Sequence, residues 1–188
     1  MIKEEGHIIE EMDNIIEHGI EVSQLSYLVG KELGLSKDEC YELAIAGVVH
    51  DIGKLKLNKY IYDKYEDLTK EERVHVRSHS NIGYDILKGY DFSDNINKWI
   101  LYHHENYDGS GYPENLVGDQ IPLGARILRI CDTYSALTSN RVYRKAFDYE
   151  TAMKMMIDEI KIYDLEVFIV FQKIINEMNL YGEEKKDA

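Results

Sequence analysis

A chain of 188 residues, 44% of them hydrophobic and only 2 of them proline, can bury one sizeable core and is not a disordered chain. Its formal net charge of −13 excludes the basic face that a nucleic-acid duplex rewards, but not a small anionic ligand held where basic residues gather locally. Two cysteines, Cys40 and Cys131, both in apolar surroundings, read as buried thiols and supply neither a disulfide framework nor a thiolate zinc site. The acidic start "MIKEEGHIIEEMD" lacks the apolar run of a signal peptide, and no stretch of ~20 apolar residues would span a membrane. The expectation is a cytoplasmic protein.

The first predicted helix covers 8–33. Ile15, His18, Val22, Leu25 and Val29 recur at steps of three and four on one face, and Gly34 ends it. "SKDE" (36–39) is a capping-box pattern that opens a second helix from 37 to about 50. After a loop over 51–68, "TKEE" (69–72) opens a third in the same way, running to Leu87. Ser93 can cap a fourth ending near His104, and a loop follows over 105–121. A fifth helix begins after Pro122 and runs through "LGARILRICDTYSALTS". Beyond a loop at 139–147, two more fill 148–160 and 164–180. The pattern predicts a single compact all-α domain of about seven helices over 1–181, with 182–188 as a solvated tail.

Polar residues interrupt the apolar faces of these helices. His18 sits in the buried stripe of the first. His50 follows Leu43 and Ala46 or Gly47 on the second, His79 shares a face with Val76, Gly83 and Ile86, and His103 follows Ile96 and Ile100. Asp132 follows Ala125 and Leu128 on the most apolar helix. A lone inward histidine is ordinarily a hydrogen-bonded core residue, and a buried carboxylate costs several kcal/mol, on the order of 3–5, unless it is paired or coordinated. Five helices that each direct such a group inward point to a metal cluster instead. His7 and His75 are left over, and His75 reads as a surface residue between Arg73 and Arg77.

The pairs "HD" (50–51) and "HH" (103–104) place ligand types side by side. Neighbours on a helix point about 100° apart, so each pair is poorly placed for one ion and suited to two, with Asp51 between them. Two-metal hydrolytic sites hold ions roughly 3.5–4 Å apart, clamp a phosphate and activate water. Imidazole and carboxylate without thiolate suit Fe or Mn, with Zn also compatible.

With "HDIGK" (50–54), "HHENYDGSGYP" (103–113) and "RILRICDTYSALTSNRVYR" (126–144), the chain resembles the HD-GYP family of HD-superfamily phosphohydrolases over roughly 15–171. "HDIGK" is shared across the superfamily, whereas the second motif is specific to HD-GYP domains. The resemblance implies cleavage of cyclic di-GMP to pGpG and further to GMP. It implies two divalent metal ions held by His18, His50, Asp51, His79, His103, His104 and Asp132. It implies catalytic roles for Asp51 and for Lys54, which would face the scissile phosphate. Substrate contacts would come from the glycine loop at Gly111 and Tyr112, and from Arg141 and Arg144 in the basic cluster "NRVYRK".

The sequence also departs from the family. Asn14 stands where some members carry a third-metal glutamate, which favours two metals. Ser135 replaces the second aspartate of the D-x-x-D-A-L-T motif, which should weaken the orientation of a ligand histidine. "YDL" (163–165) replaces the usual F-D-P, a change of the local turn. No receiver or sensory domain is recognised, so regulation would come from homo-oligomerisation, ligand level or a protein in trans. The rival readings are another HD-superfamily nucleotide phosphohydrolase, for example one acting on cyclic GMP-AMP, and a non-catalytic module that senses cyclic dinucleotides.

Overall fold

The fold is given by a computed structural model that describes residues 2–57, 68–140 and 144–184, with side chains described between Ile16 and Asn179. In chain order the helices are α1 (Ile2–Glu32), α2 (Lys37–Val49), α3 (Lys70–Arg77), α4 (His79–Leu87), α5 (Asp94–Tyr102), α6 (Leu123–Thr138), α7 (Tyr149–Asp158) and α8 (Leu165–Glu184). Short 3-10 turns lie at Ile52–Lys56, Gly118–Gln120 and Ile160–Ile162. Among the described residues there is no strand; an isolated bridge joins Asp108 and Val117. No described helix is long and apolar enough to cross a membrane.

Local chemistry sets the helix starts. Ser36 accepts from Glu39 N at 3.2 Å while Glu39 accepts from Ser36 N at 2.9 Å, which completes the expected box. Thr69 and Glu72 repeat it at 3.2 and 2.8 Å. Ser93 accepts from Ile96 N, and Asp148 accepts from Thr151 N. Two boundaries differ from expectation. α1 begins at Ile2 rather than 8, because the polar stretch before Ile8 is rich in helix-forming Lys and Glu. The third predicted helix divides at Ser78, whose hydroxyl donates to His75 O at 2.6 Å and competes with the helical ladder. α3 and α4 are its two halves. α8 continues to Glu184, into the expected tail, and residues 185–188 lie outside the described residues.

α6 is the central rod, packed against α1, α2, α5, α7 and α8. Its Ala125, Ile127, Leu128, Ile130 and Cys131 are fully buried among Ile100 of α5, Val22 of α1, Leu43 of α2 and Phe171 of α8. Cys40 and Cys131 are both free and buried, and burial pushes the Cys131 thiol up to about 12.

α1 and α2 cross closely. A Cβ on Gly47 would lie 2.6 Å from backbone atoms of Ser23, and one on Gly19 would lie 2.6 Å from Val48 O. The obstacles are backbone, so neither helix can yield locally. This contact sets the spacing between His18, beside Gly19, and His50, one turn beyond Gly47. Gly47→Ala should therefore force the two helices apart, costing about 1–3 kcal/mol. The expected result is a thermal midpoint several degrees below wild type; an unchanged midpoint would contradict the close crossing.

Candidate metal centre

The inward polar residues meet at one place. His18 Nε2 lies 2.9 Å from Asp132 Oδ1. His50 Nε2 stands 3.4 Å from Asp51 Oδ2 and 3.6 Å from Asp132 Oδ1. His79 Nε2 is 3.4 Å from Asp51 Oδ1, 3.3 Å from His103 Nε2 and 3.1 Å from His104 Nε2. The ligand atoms form two subsets, each within 4.8 Å: His18, His50 and Asp51, and Asp51, His79, His103 and His104. Asp51 belongs to both and turns one oxygen toward each. His103 and His104 fall into the same subset, contrary to the expectation that they would serve different ions. α5 ends at Tyr102, and His103 caps it with a near-helical backbone (φ −63°, ψ −11°), so an offset at Cα does not keep the two imidazole tips apart. Their rings lie 4.0 Å apart between centroids, with both Nε2 atoms toward His79.

Helix ends explain how the rings are oriented. The last carbonyls of a helix have no intrahelical partner. His50 caps α2, and its Nδ1 donates to Gly47 O at 2.8 Å. His103 caps α5, and its Nδ1 donates to Ile100 O at 2.6 Å. His79 opens α4 just after α3 ends, and its Nδ1 donates to Val76 O at 2.8 Å. A carbonyl only accepts, so each Nδ1 carries the proton and each Nε2 turns its other side to the cluster. One contact thus satisfies an orphan carbonyl and fixes a tautomer. The break at Ser78 is what makes this available to His79.

The donor set fits a divalent cation. Two nitrogens each about 2.1 Å from one ion stand roughly 3.0–3.4 Å apart, the spacing seen here between His79, His103 and His104. His50 Nε2 and Asp51 Oδ1 are buried without a hydrogen-bond partner, an arrangement a cation would satisfy. Electrostatics agree. Burial, then the neighbouring His50 and His79, press the His103 imidazole down to about 3, and burial also lowers His79 and His104. These rings are neutral donors. Burial opposes the charged forms of Asp51 and Asp132, but Lys54 and His50 at Asp51, and His18 and His50 at Asp132, outweigh it and hold both carboxyls well below their usual range. At His50, burial also opposes charge, yet the Asp51 and Asp132 charges hold the ring at about 10, so cation binding would displace a proton there.

Around this cluster the expected roles divide. Lys54 Nζ ion-pairs with Asp51 Oδ2. Tyr112 stacks on His104, 4.8 Å between centroids and 27° from parallel, and the exposed Arg77 covers its ring at 5.0 Å. Burial raises the Tyr112 hydroxyl, which stays a proton donor. Gly111 is buried, and a Cβ there would lie 2.2 Å from Asn106 N and 2.5 Å from Glu105 Cα. Its missing side chain thus lets the loop close on its own backbone. Arg144 gives its guanidinium to Ala136 O (2.7 Å), Leu137 O (2.9 Å) and Lys145 O (2.7 Å) and so caps the end of α6, a different task from the expected substrate contact. Arg141 lies outside the described residues, as does the side chain of Asn14. His75, expected at the surface, is half-buried.

Two residues carry weight that the sequence reading missed. Glu105, 1% exposed, accepts from Glu114 N at 2.6 Å and Leu116 N at 3.0 Å and folds the loop around itself. Burial pushes its carboxyl up, against those backbone N–H groups. An acid directly after two inward histidines, entering a loop full of unpaired N–H groups, was the available signal. Glu21, one turn beyond His18, accepts from Ser135 Oγ at 2.6 Å, so Ser135 does not stand alone behind its histidine.

Residues 5–167 match the HD domain family. The cyclic di-GMP phosphodiesterase response regulator RpfG of Xanthomonas campestris pv. campestris is 38% identical over 139 residues, 70% of this chain and 35% of its own length. The 3'3'-cGAMP-specific phosphodiesterase 1 of Vibrio cholerae serotype O1 is 35% identical over 144 residues, 77% of this chain and 33% of its own. This chain therefore spans about a third of the length of these curated relatives. Among solved structures, Bd1817, an HDG"Y"P protein from Bdellovibrio bacteriovorus, superposes with a TM-score of 0.69 at 22% identity, over 86% of this chain and 52% of that one. That likeness is one of fold.

The loop makes a prediction of its own. Glu105→Ala should leave two backbone N–H groups without their acceptor, a loss of about 1–3 kcal/mol confined to this segment. Hydrogen exchange should accelerate at the amides of Glu114 and Leu116 and not in α2. Unchanged exchange at both amides would show that the loop holds its shape without the carboxylate.

Proposed function

Because the chain belongs to the HD domain family, we propose that it is a metal-dependent phosphodiesterase that hydrolyses cyclic di-GMP to linear pGpG, with GMP as the product of a second cleavage. The observation that carries this reading is the buried cluster of two ligand subsets that share Asp51. His18, His50, Asp51 and Asp132 would hold one divalent ion, and Asp51, His79, His103 and His104 the other. Iron or manganese suits this thiolate-free set, and zinc is compatible. Ions held there supply a Lewis acid for a phosphoryl oxygen and lower the pKa of water.

The remaining work falls to the chain. Asp51 ties the two subsets together and positions Lys54. The Lys54 ammonium, held beside the shared carboxylate, would donate to the phosphoryl oxygens as negative charge grows on them during in-line attack. Tyr112 offers a ring face and a protonated hydroxyl to a base or ribose, and Glu105 holds the wall on which it stands. Arg141 is the cation proposed for the second phosphate. The identity of the Vibrio relative gives a second reading weight: cyclic GMP-AMP as substrate.

Purified protein loaded with Mn(II) or Fe(II) should convert cyclic di-GMP to pGpG faster than it cleaves 3'3'-cGAMP. The Asp51→Ala variant should lose at least ~10³-fold in rate together with most of its bound metal, since both ions and Lys54 depend on that carboxylate. A preference for 3'3'-cGAMP would transfer the proposal to the second reading. Full turnover by Asp51→Ala would reject the shared-carboxylate mechanism.

A further inference from the structure

His18 differs from the other oriented imidazoles. It lies in the middle of α1, where nearby carbonyls are committed to the helical ladder, so no helix-end acceptor is at hand for its Nδ1. Its partner comes from α6 instead: His18 Nδ1 lies 2.9 Å from the Oγ of buried Ser135. That hydroxyl donates to Glu21 Oε2 at 2.6 Å, and Ser139 donates to the same oxygen at 3.0 Å. A serine hydroxyl has one proton, and an ionised carboxylate only accepts. With its proton given to Glu21, Ser135 can only accept from His18, which places a proton on Nδ1 and leaves Nε2, 2.9 Å from Asp132 Oδ1, as the nitrogen facing the cluster.

We propose that Ser135 and Glu21 are positioning residues, a two-step chain that restores behind His18 the carboxylate which the change to serine removed, and thereby sets the affinity of the His18 subset for a divalent cation. This rests on the metal reading above. The charge is displaced, not lost: it stands one hydroxyl further out, on the same helix as the histidine it serves. Both helices are needed, so the chain also locks α1 to α6 in register beside the site. Glu21 is exposed at the rim of a cavity of about 350 Å³ lined by Gln24, Tyr134, Thr138 and Met178, so its substitution removes little buried surface and should not prevent folding.

The test uses the whole chain stripped of metal and titrated with Mn(II), alongside nitrogen-15 NMR of the metal-free imidazoles. Removing a partner behind a ligand histidine weakens metal binding by roughly 10–100-fold. Glu21→Ala and Ser135→Ala should each fall in that range at the weaker affected step. In both, the His18 Nδ1–H signal should lose its hydrogen-bonded shift and exchange faster with solvent. The double variant Glu21→Ala with Ser135→Asp places a carboxylate directly against Nδ1 and should recover Mn(II) affinity to within a few-fold of wild type. A structural role alone would not give that rescue. Wild-type affinity and an unchanged His18 Nδ1–H signal in Glu21→Ala would overturn the relay while leaving the metal centre in place. No Mn(II) binding by the wild type would instead overturn the metal reading itself.

Discussion

Imidazole tips standing 3.1 and 3.3 Å apart can share one cation only when the facing nitrogens carry no protons, and at His79 and His103 that condition is met from behind, by the carbonyl to which Nδ1 donates. Three of the rings use a carbonyl three residues back, at or just past the end of a helix. The architecture follows from that requirement. α2, α3 and α5 stop where they do beside the cluster, and α3 and α4 are separate helices. Of the helices that carry a ligand histidine, α1 alone passes the cluster without stopping, and there a serine and a glutamate stand in for the missing carbonyl.

The same economy of backbone groups runs through the surroundings. Glu105 collects the N–H groups of the loop that follows His104, and Gly111 lets that loop close on its own backbone. Arg144 collects carbonyls at the end of α6. Tyr112, at the end of that loop, stacks over His104. The close crossing of α1 and α2 at Gly19 and Gly47 belongs with them, since it sets how near His18 and His50 can come.

Features that depend on neighbours within one turn were legible in the sequence. The capping boxes at Ser36 and Thr69, the apolar stripe of α1 and the inward direction of His18, His50, His79, His103 and Asp132 are all of this kind, and the structure places them as the spacing implied. Features that depend on partners far along the chain were not. Glu21 meets Ser135 across 114 residues, so a serine in an aspartate's place looked like a loss of charge. Arg144 reads as a free cation until the end of α6 is set beside it. The division of the third helix turned on one hydroxyl that competes with the ladder, which periodicity does not register. Placing His103 and His104 at different ions took the offset between neighbouring Cα atoms as deciding, and the imidazole tips converge on His79 in spite of it.

The shared carboxylate is the central claim, because both ligand subsets and Lys54 depend on Asp51. Anomalous diffraction from crystals of the chain grown with Mn(II) under anaerobic conditions tests it most directly. The account predicts two peaks roughly 3.5–4 Å apart, one on each oxygen of Asp51, with His18 and His50 on one side and His79, His103 and His104 on the other. A single peak, or two peaks neither of which contacts Asp51, would contradict it.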